Sequence, residues 1–153
     1  MEQHIDFFAV APEGIKAMRG LEAYIRHSGL DHRLLELVKT RVSQINGCAY
    51  CLDMHTKEAR AAGETEQRLY ALSAWRETGF YSERERAALA WAEALTDIAG
   101  KGVAQGLRTE TLRSFSEKEL VDLTLAIVAI NGWNRLAIPF RTPAGSYQAG
   151  SVR

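Results

Sequence analysis

An all-α fold is predicted by three features of the sequence. Apolar residues recur at three- and four-residue spacing through most of the chain. Capping residues stand at the heads of those segments, and no alternating run is long enough to specify a strand. The spacing predicts about six to seven helices in a single domain spanning residues 1–153. A chain of that length buries a core without disulfide or metal staples.

The first predicted helix begins at Pro12, which suits a first helical position, and carries Ile15, Met18, Leu21 and Ile25 until Gly29. Asp31 caps the second, with Leu34, Leu35, Val38, Val42 and Ile45 on one side. Asn46-Gly47 breaks the pattern. A third helix starts near Cys48 and runs to about Ala62, stopped by Gly63. Thr65 caps a fourth, carrying Leu69, Leu72 and Trp75 and ending near Gly79. Ser82-Glu83-Arg84-Glu85 is a capping box for a fifth, with Leu89, Trp91 and Leu95, ending before Gly100. A loop is expected from Gly100 to Arg108, then a short turn at Glu110 to Ser114. Ser116-Glu117-Lys118-Glu119 is a second capping box. It opens a long helix from Glu117 to about Leu136, closed by Pro139. The tail from Arg141 has Gly, Ser and Pro and no periodicity, so it is expected to be loose or docked on a neighbour.

On the long helix, Leu120, Leu123, Ile127 and Ile130 form one stripe, while Val121, Leu125 and Val128 lie off it. Apolar residues over so much of the circumference imply either a central core helix or a subunit interface.

Lys plus Arg and Asp plus Glu both number 19, so the formal net charge is zero. That balance excludes a global attraction to nucleic acid or an anionic membrane and leaves little repulsion against self-association. The first residues lack the basic and apolar regions of a secretory signal, and Leu120 to Ile130 is too short to span a bilayer. A cytoplasmic protein is expected. The only two cysteines lie three residues apart, which is poor structural stapling and reads as redox or metal chemistry in a reducing compartment.

The chemistry concentrates in Asn46-Gly47-Cys48-Ala49-Tyr50-Cys51-Leu52-Asp53-Met54-His55. A helix start near Cys48 offers backbone N–H groups and a positive dipole end, which lower a thiol pKa from its reference of about 8.5. Cys48 and Cys51 are i and i+3, so their sulfurs can meet. Cys51 and His55 are i and i+4, so His55 can take the Cys51 proton directly or through a water. All three share one stripe. Two Cys, a His and a Glu also make a zinc set, but structural zinc sites draw on two pieces of chain, and no second Cys/His cluster exists. His4, His27 and His32 have no partner that suggests chemistry. Trp75, Trp91 and Trp133 are expected as core or interface aromatics rather than pocket walls. Glu83 to Arg86 is expected to be a solvated helix start. Asn131, Asn134 and Arg135 are expected to satisfy backbone groups or each other.

The chain resembles the alkylhydroperoxidase D and carboxymuconolactone decarboxylase superfamily. The resemblance rests on Glu36, Arg41 through Cys51, Asp53-Met54-His55, Gly63-Glu64-Thr65, Leu72-Ser73-Ala74-Trp75 and Ala92 through Thr96, and covers roughly residues 6–140. It implies an AhpD-like helical bundle assembled as a homo-trimer or homo-hexamer. In the peroxidase branch it implies a carboxylate–histidine–cysteine relay without metal or organic cofactor. Glu36 and His55 then move the proton, Cys51 is the peroxidatic thiol and Cys48 the resolving one. The activity expected is that of a peroxidase or disulfide reductase, with a hydroperoxide as substrate and an outside dithiol of unknown identity as reductant. Tyr50 stands where the mycobacterial-type enzyme has a further relay histidine. The helix start by itself favours Cys48 as the more acidic thiol; the resemblance and the base at i+4 favour Cys51 as nucleophile. The decarboxylase branch, acting on a small cyclic acid, does not require a cysteine pair. A zinc-stabilised helical interaction module is the non-enzymatic alternative.

Overall fold

Side-chain caps start all of the long helices but one, which begins at Pro12 without a side-chain cap bond. The computed structural model describes residues 4–151, and their helical segments in order are α1 (Phe7–Val10), α2 (Pro12–Arg26), α3 (His32–Asn46), α4 (Ala49–Ala61) and α5 (Glu66–Tyr70). A 3₁₀ segment (Leu72–Glu77) follows, then α6 (Glu83–Thr96), α7 (Ile98–Lys101), α8 (Leu107–Thr111) and α9 (Glu117–Ala137). No described residue lies in a strand. Asp31 accepts hydrogen bonds from Arg33 N at 2.7 Å and Leu34 N at 3.2 Å and so starts α3. Ser82 and Ser116 each form the reciprocal bonds of a capping box with Glu85 and Glu119.

Helix α3 lies at the centre, packed against α4, α6 and α9. Its two apolar faces serve two cores. Leu34, Leu35, Val38 and Val42 join Leu123, Ile127 and Ile130 of α9, together with both cysteines. Leu37 turns the other way, toward Leu69, Leu72, Trp75 and Leu89. Helix α9 buries Leu120, Leu123, Ile127 and Ile130 against the bundle, as a core helix does, and leaves Val121 59% and Val128 55% exposed on its far side. None of the described helices is long and apolar enough to cross a membrane.

Several local expectations are corrected. The four-residue α1, too short to leave a periodicity, is nucleated by Asp6, which accepts from Phe8 N and Ala9 N. The fourth predicted helix is not continuous. It passes from α5 into the 3₁₀ segment, with non-helical dihedrals at Ala74. Leu69, Leu72 and Trp75 are spaced by threes, which matches three residues per turn better than 3.6 and brings all three into one core. The expected loop after Gly100 is shortened from both ends by α7 and α8. Gly106, at φ 93°, makes the left-handed turn that starts α8 ahead of the predicted position.

Glu83 to Arg86 is not a plain solvated helix start. Arg84 binds the Glu119 carboxylate and the Ser114 carbonyl and covers the Phe115 ring at 4.0 Å. Arg86 donates to the carbonyls of Trp75 and Thr78 at 3.0 Å each, and Glu85 accepts from Arg68. These long side chains tie α6 to its neighbours. The tail is docked on its own chain. Gly145 N donates to Asp53, Lys57 donates to the carbonyls of Gly145 and Tyr147, and the Tyr147 hydroxyl donates to Glu58, all along α4.

Candidate active site

Helices α3 and α4 meet at a tight corner that positions the first thiol. Gly47 adopts φ 71°, left-handed, at the end of α3, and Cys48 N then reaches back to Ser43 O at 3.0 Å. That six-to-one bond closes a helix whose next residue needs no further turn. Cys48 is at once the residue beyond α3 and the N-cap of α4. A sulfur takes the place usually held by a Ser or Asp oxygen, and Cys51 N donates to Cys48 Sγ at 3.4 Å.

One turn further, Cys51 Sγ lies 2.7 Å from Cys48 Sγ, both present as thiols. The pair is enclosed: Cys48 is 1% and Cys51 2% exposed. The Cys48 thiol is lowered to about 7. The hydrogen bond from Cys51 is the main cause; burial opposes it, and the backbone N–H groups of Cys51 and Tyr50 and the Asn134 side chain assist. Asn134 belongs to a polar cluster with Asn46, Asn131 and Ser43. Asn46 Nδ2 donates to Asn134 at 2.8 Å and to Asn131 at 3.0 Å, and Asn134 Nδ2 donates to Ser43 Oγ at 3.2 Å. Arg135 donates to Asn131 as well. These side chains satisfy one another as expected, and Asn134 has the additional contact with the thiol.

Glu36 on α3 and His55 on α4 are both 3% exposed, with Nδ1 of the ring 2.8 Å from Glu36 Oε2. Burial alone raises a carboxyl pKa. Here the hydrogen bond and charge of His55, helped by Lys39 and His32, outweigh it and hold Glu36 below its ordinary value. A carboxylate on Nδ1 fixes the ring orientation and leaves Nε2 as the nitrogen with proton-accepting work.

A cavity of about 530 Å³ opens beside this pair, and its wall includes Cys51 and His55 but not Cys48. Its floor and sides also come from distant chain. Phe7 and Phe8 of α1, Arg19, Glu22 and Arg26 of α2, Met54 of α4, Trp133 and Ala137 of α9, and Tyr147 and Ser151 of the docked tail all contribute. Tyr50 lines it too. Trp133 is therefore a pocket wall, contrary to expectation, and its indole N–H donates to Glu22 at 3.2 Å. No local motif marks Trp133, Phe8 or Tyr147, because the cavity assembles only when α1, α9 and the tail converge on α4. The one sequence signal for α2 is the seven-residue spacing of Arg19 and Arg26, which puts both on one helical face. Trp75 and Trp91 are core aromatics, bonded to Glu93 and Thr124. Among the described residues no group of three or more His, Cys, Asp or Glu is placed to hold a metal ion.

The carboxymuconolactone decarboxylase family model matches residues 11–94, more than half of the chain and including all four residues Glu36, Cys48, Cys51 and His55. The chain belongs to this family. It is 46% identical to the uncharacterized protein YdfG of Bacillus subtilis (strain 168), over 95% of this chain and 99% of that one. A solved structure from Agrobacterium tumefaciens is 44% identical, with a TM-score of 0.91, covering 95% of this chain and all of that one. It is named a protein of unknown function with a provisional role as antioxidant defence protein AhpD. The debrominase Bmp8 shares the fold at 23% identity and a TM-score of 0.79, over 88% of this chain and 73% of its own. The AhpD-like all-helical architecture is thereby established for this chain.

Proposed function

We propose that this family member is a thiol-dependent peroxidase that reduces hydroperoxides through Cys51 and Cys48, with His55 and Glu36 as the proton relay. One observation carries the assignment of roles: Cys51 and His55 face the cavity, while Cys48 stands behind Cys51 at hydrogen-bonding distance. The Cys51 thiolate, its proton taken by His55, attacks the outer oxygen of the hydroperoxide. The O–O bond breaks, the sulfur is oxidised to a sulfenic acid, and the departing alkoxide receives the proton from His55 and leaves as an alcohol. The Cys48 thiolate then attacks the Cys51 sulfur. The S–S bond forms, and hydroxide leaves and is protonated to water. The backbone N–H groups of Cys51 and Tyr50 and the Asn134 side chain, which remain when the Cys51 sulfur is oxidised, favour the Cys48 thiolate for this step. An outside dithiol returns the pair to thiols by exchange, its own sulfurs becoming the disulfide.

Single-turnover reaction with hydroperoxide tests the roles. Cys48→Ser should retain the fast first step and stop at a trapped sulfenic acid, and Cys51→Ser should lose it. The opposite result makes Cys48 the nucleophile. If both variants keep the step, neither thiol is the nucleophile, and decarboxylation of a small cyclic acid becomes the leading alternative.

A homo-trimer or homo-hexamer is part of the same proposal. Val121 and Val128 form an apolar, solvent-facing strip on α9, and a second copy of the chain would cover it.

A further inference from the structure

The cavity beside Cys51 is apolar in its body and cationic at its mouth. Phe7, Phe8, Met54, Trp133 and Ala137 supply the apolar wall. Three charged side chains join them from α2: Arg19, Glu22 and Arg26. Glu22 is already neutralised. Its carboxylate accepts from Lys39 Nζ at 2.8 Å and from the Trp133 indole, in a nearly enclosed ion pair. The two guanidiniums differ in this respect. Both are exposed, and among the described residues neither has a carboxylate partner. Arg19 rests its charge over the Phe8 ring at 5.7 Å, which holds it at the cavity rim. Of the other acids near the cavity, Glu36 is bound to His55, and Glu58 accepts from Gly150 N and from the hydroxyl of Tyr147, a wall residue. Two cations seven residues apart on one helix stand about 10 Å apart along its axis. They set two exposed guanidiniums beside an apolar pocket whose wall holds the reactive thiol.

From this arrangement we infer that the substrate is an amphipathic carboxylate: an apolar body bearing the hydroperoxide, with a carboxylate held at the mouth by Arg19 and Arg26. The inference rests on the peroxidase reading for the reacting group, but not for the carboxylate, which depends on the guanidiniums alone. Arginine suits the task because its planar fork meets a carboxylate with two parallel N–H donors. An uncharged hydroperoxide would fill the apolar wall and leave both cations unpaired at the mouth. The anchoring geometry also orients the ligand. With the carboxylate outside and the apolar body inside, the hydroperoxide end is directed toward Cys51 and His55.

Pairs of probes that share one apolar body separate the parts of the inference. Binding is measured by calorimetry with para-isopropylbenzoate, which carries the carboxylate and cannot be reduced, against uncharged isopropylbenzene. Turnover is measured with cumene hydroperoxide against its para-carboxylated analogue. The carboxylate should bind more tightly than the hydrocarbon, and its advantage should shrink as salt is raised. Arg19→Ala and Arg26→Ala should each weaken carboxylate binding about three- to tenfold, and the charge reversals Arg19→Glu and Arg26→Glu should weaken it more. The preference in kcat/KM for the carboxylated hydroperoxide should fall by the same factor. Both arginines are exposed, so the variants should keep the wild-type circular dichroism spectrum. Equal binding of the charged and uncharged probes, or carboxylate binding unaltered in both arginine variants, overturns the inference. If carboxylate binding follows the arginines but neither hydroperoxide is consumed, the anion site stands and the peroxidase reading fails.

Discussion

Replacing Cys51 with alanine should raise the pKa of Cys48. The helix start alone lowers a thiol pKa, but at this corner the largest contribution is the hydrogen bond from the second sulfur, 2.7 Å away. Burial works against it. Without Cys51 Sγ, the Tyr50 and Cys51 N–H groups and Asn134 remain, opposed by enclosure that is nearly complete. The thiol should then return from about 7 to at least its reference of about 8.5. At pH 7 half of Cys48 is thiolate in the native chain, and about 3% would be at a pKa of 8.5. Alkylation of Cys48 at pH 7, taken relative to its own high-pH plateau, should therefore slow about fifteenfold. The midpoint is read from thiolate ultraviolet absorbance across pH 5 to 10. The stability consequence has a definite sign. The depressed native pKa stabilises the fold fully above the unfolded value of about 8.5 and loses that contribution as pH falls through about 7, a range of about 2 kcal/mol. The variant should lack this pH-dependent gain. A Cys48 midpoint that stays near 7 in Cys51→Ala would refute the reasoning. It would show that the helix N-terminus, not the neighbouring sulfur, sets the acidity.

Three further outcomes are expected. Glu36→Ala should destabilise the fold at neutral pH by about 3 kcal/mol or more, because it breaks a buried hydrogen-bonded pair. Since Glu36 is held below its ordinary pKa, its stabilisation is present above about pH 4.3 and is lost as pH falls through the lower native value. Urea denaturation should therefore show the native chain, but not the variant, weakening through that acid range. His55→Ala should slow Cys51 oxidation and move its rate profile to higher pH, and an unchanged profile would remove His55 from the relay. Sedimentation at low micromolar concentration should give a mass several times the 17.0 kDa of the chain, and Val121→Asp with Val128→Asp should reduce it; a clean monomer before substitution would end the oligomer proposal.

Much of this molecule could be read without coordinates, because much of it is local. Helix periodicity places Cys48, Cys51 and His55 on one stripe of α4 whatever packs around it, and Asp31, Ser82 and Ser116 start their helices through bonds to their own next turn. Gly47 could be recognised as a break from its neighbours alone, although its part in setting the Cys48 N-cap needed the dihedral. Glu36 was named only because the chain resembles a known family. No local rule reaches across the 19 residues that separate it from His55.

The tertiary structure decided the remainder. It turned Cys51 toward the cavity and Cys48 toward Asn134, so the acidity that favours one thiol and the access that favours the other fall on different sulfurs. It placed Trp133 beside Glu22, 111 residues away in sequence, and laid the tail along α4 through contacts spanning 88 to 92 residues. It also gathered Arg19, Arg26 and Phe8 at one mouth. Periodicity along a helix sets which side chains share a face, and it is encoded over three to seven residues. Which faces meet is settled by how the whole set of apolar surfaces is buried together, a property of the entire chain that no short window contains.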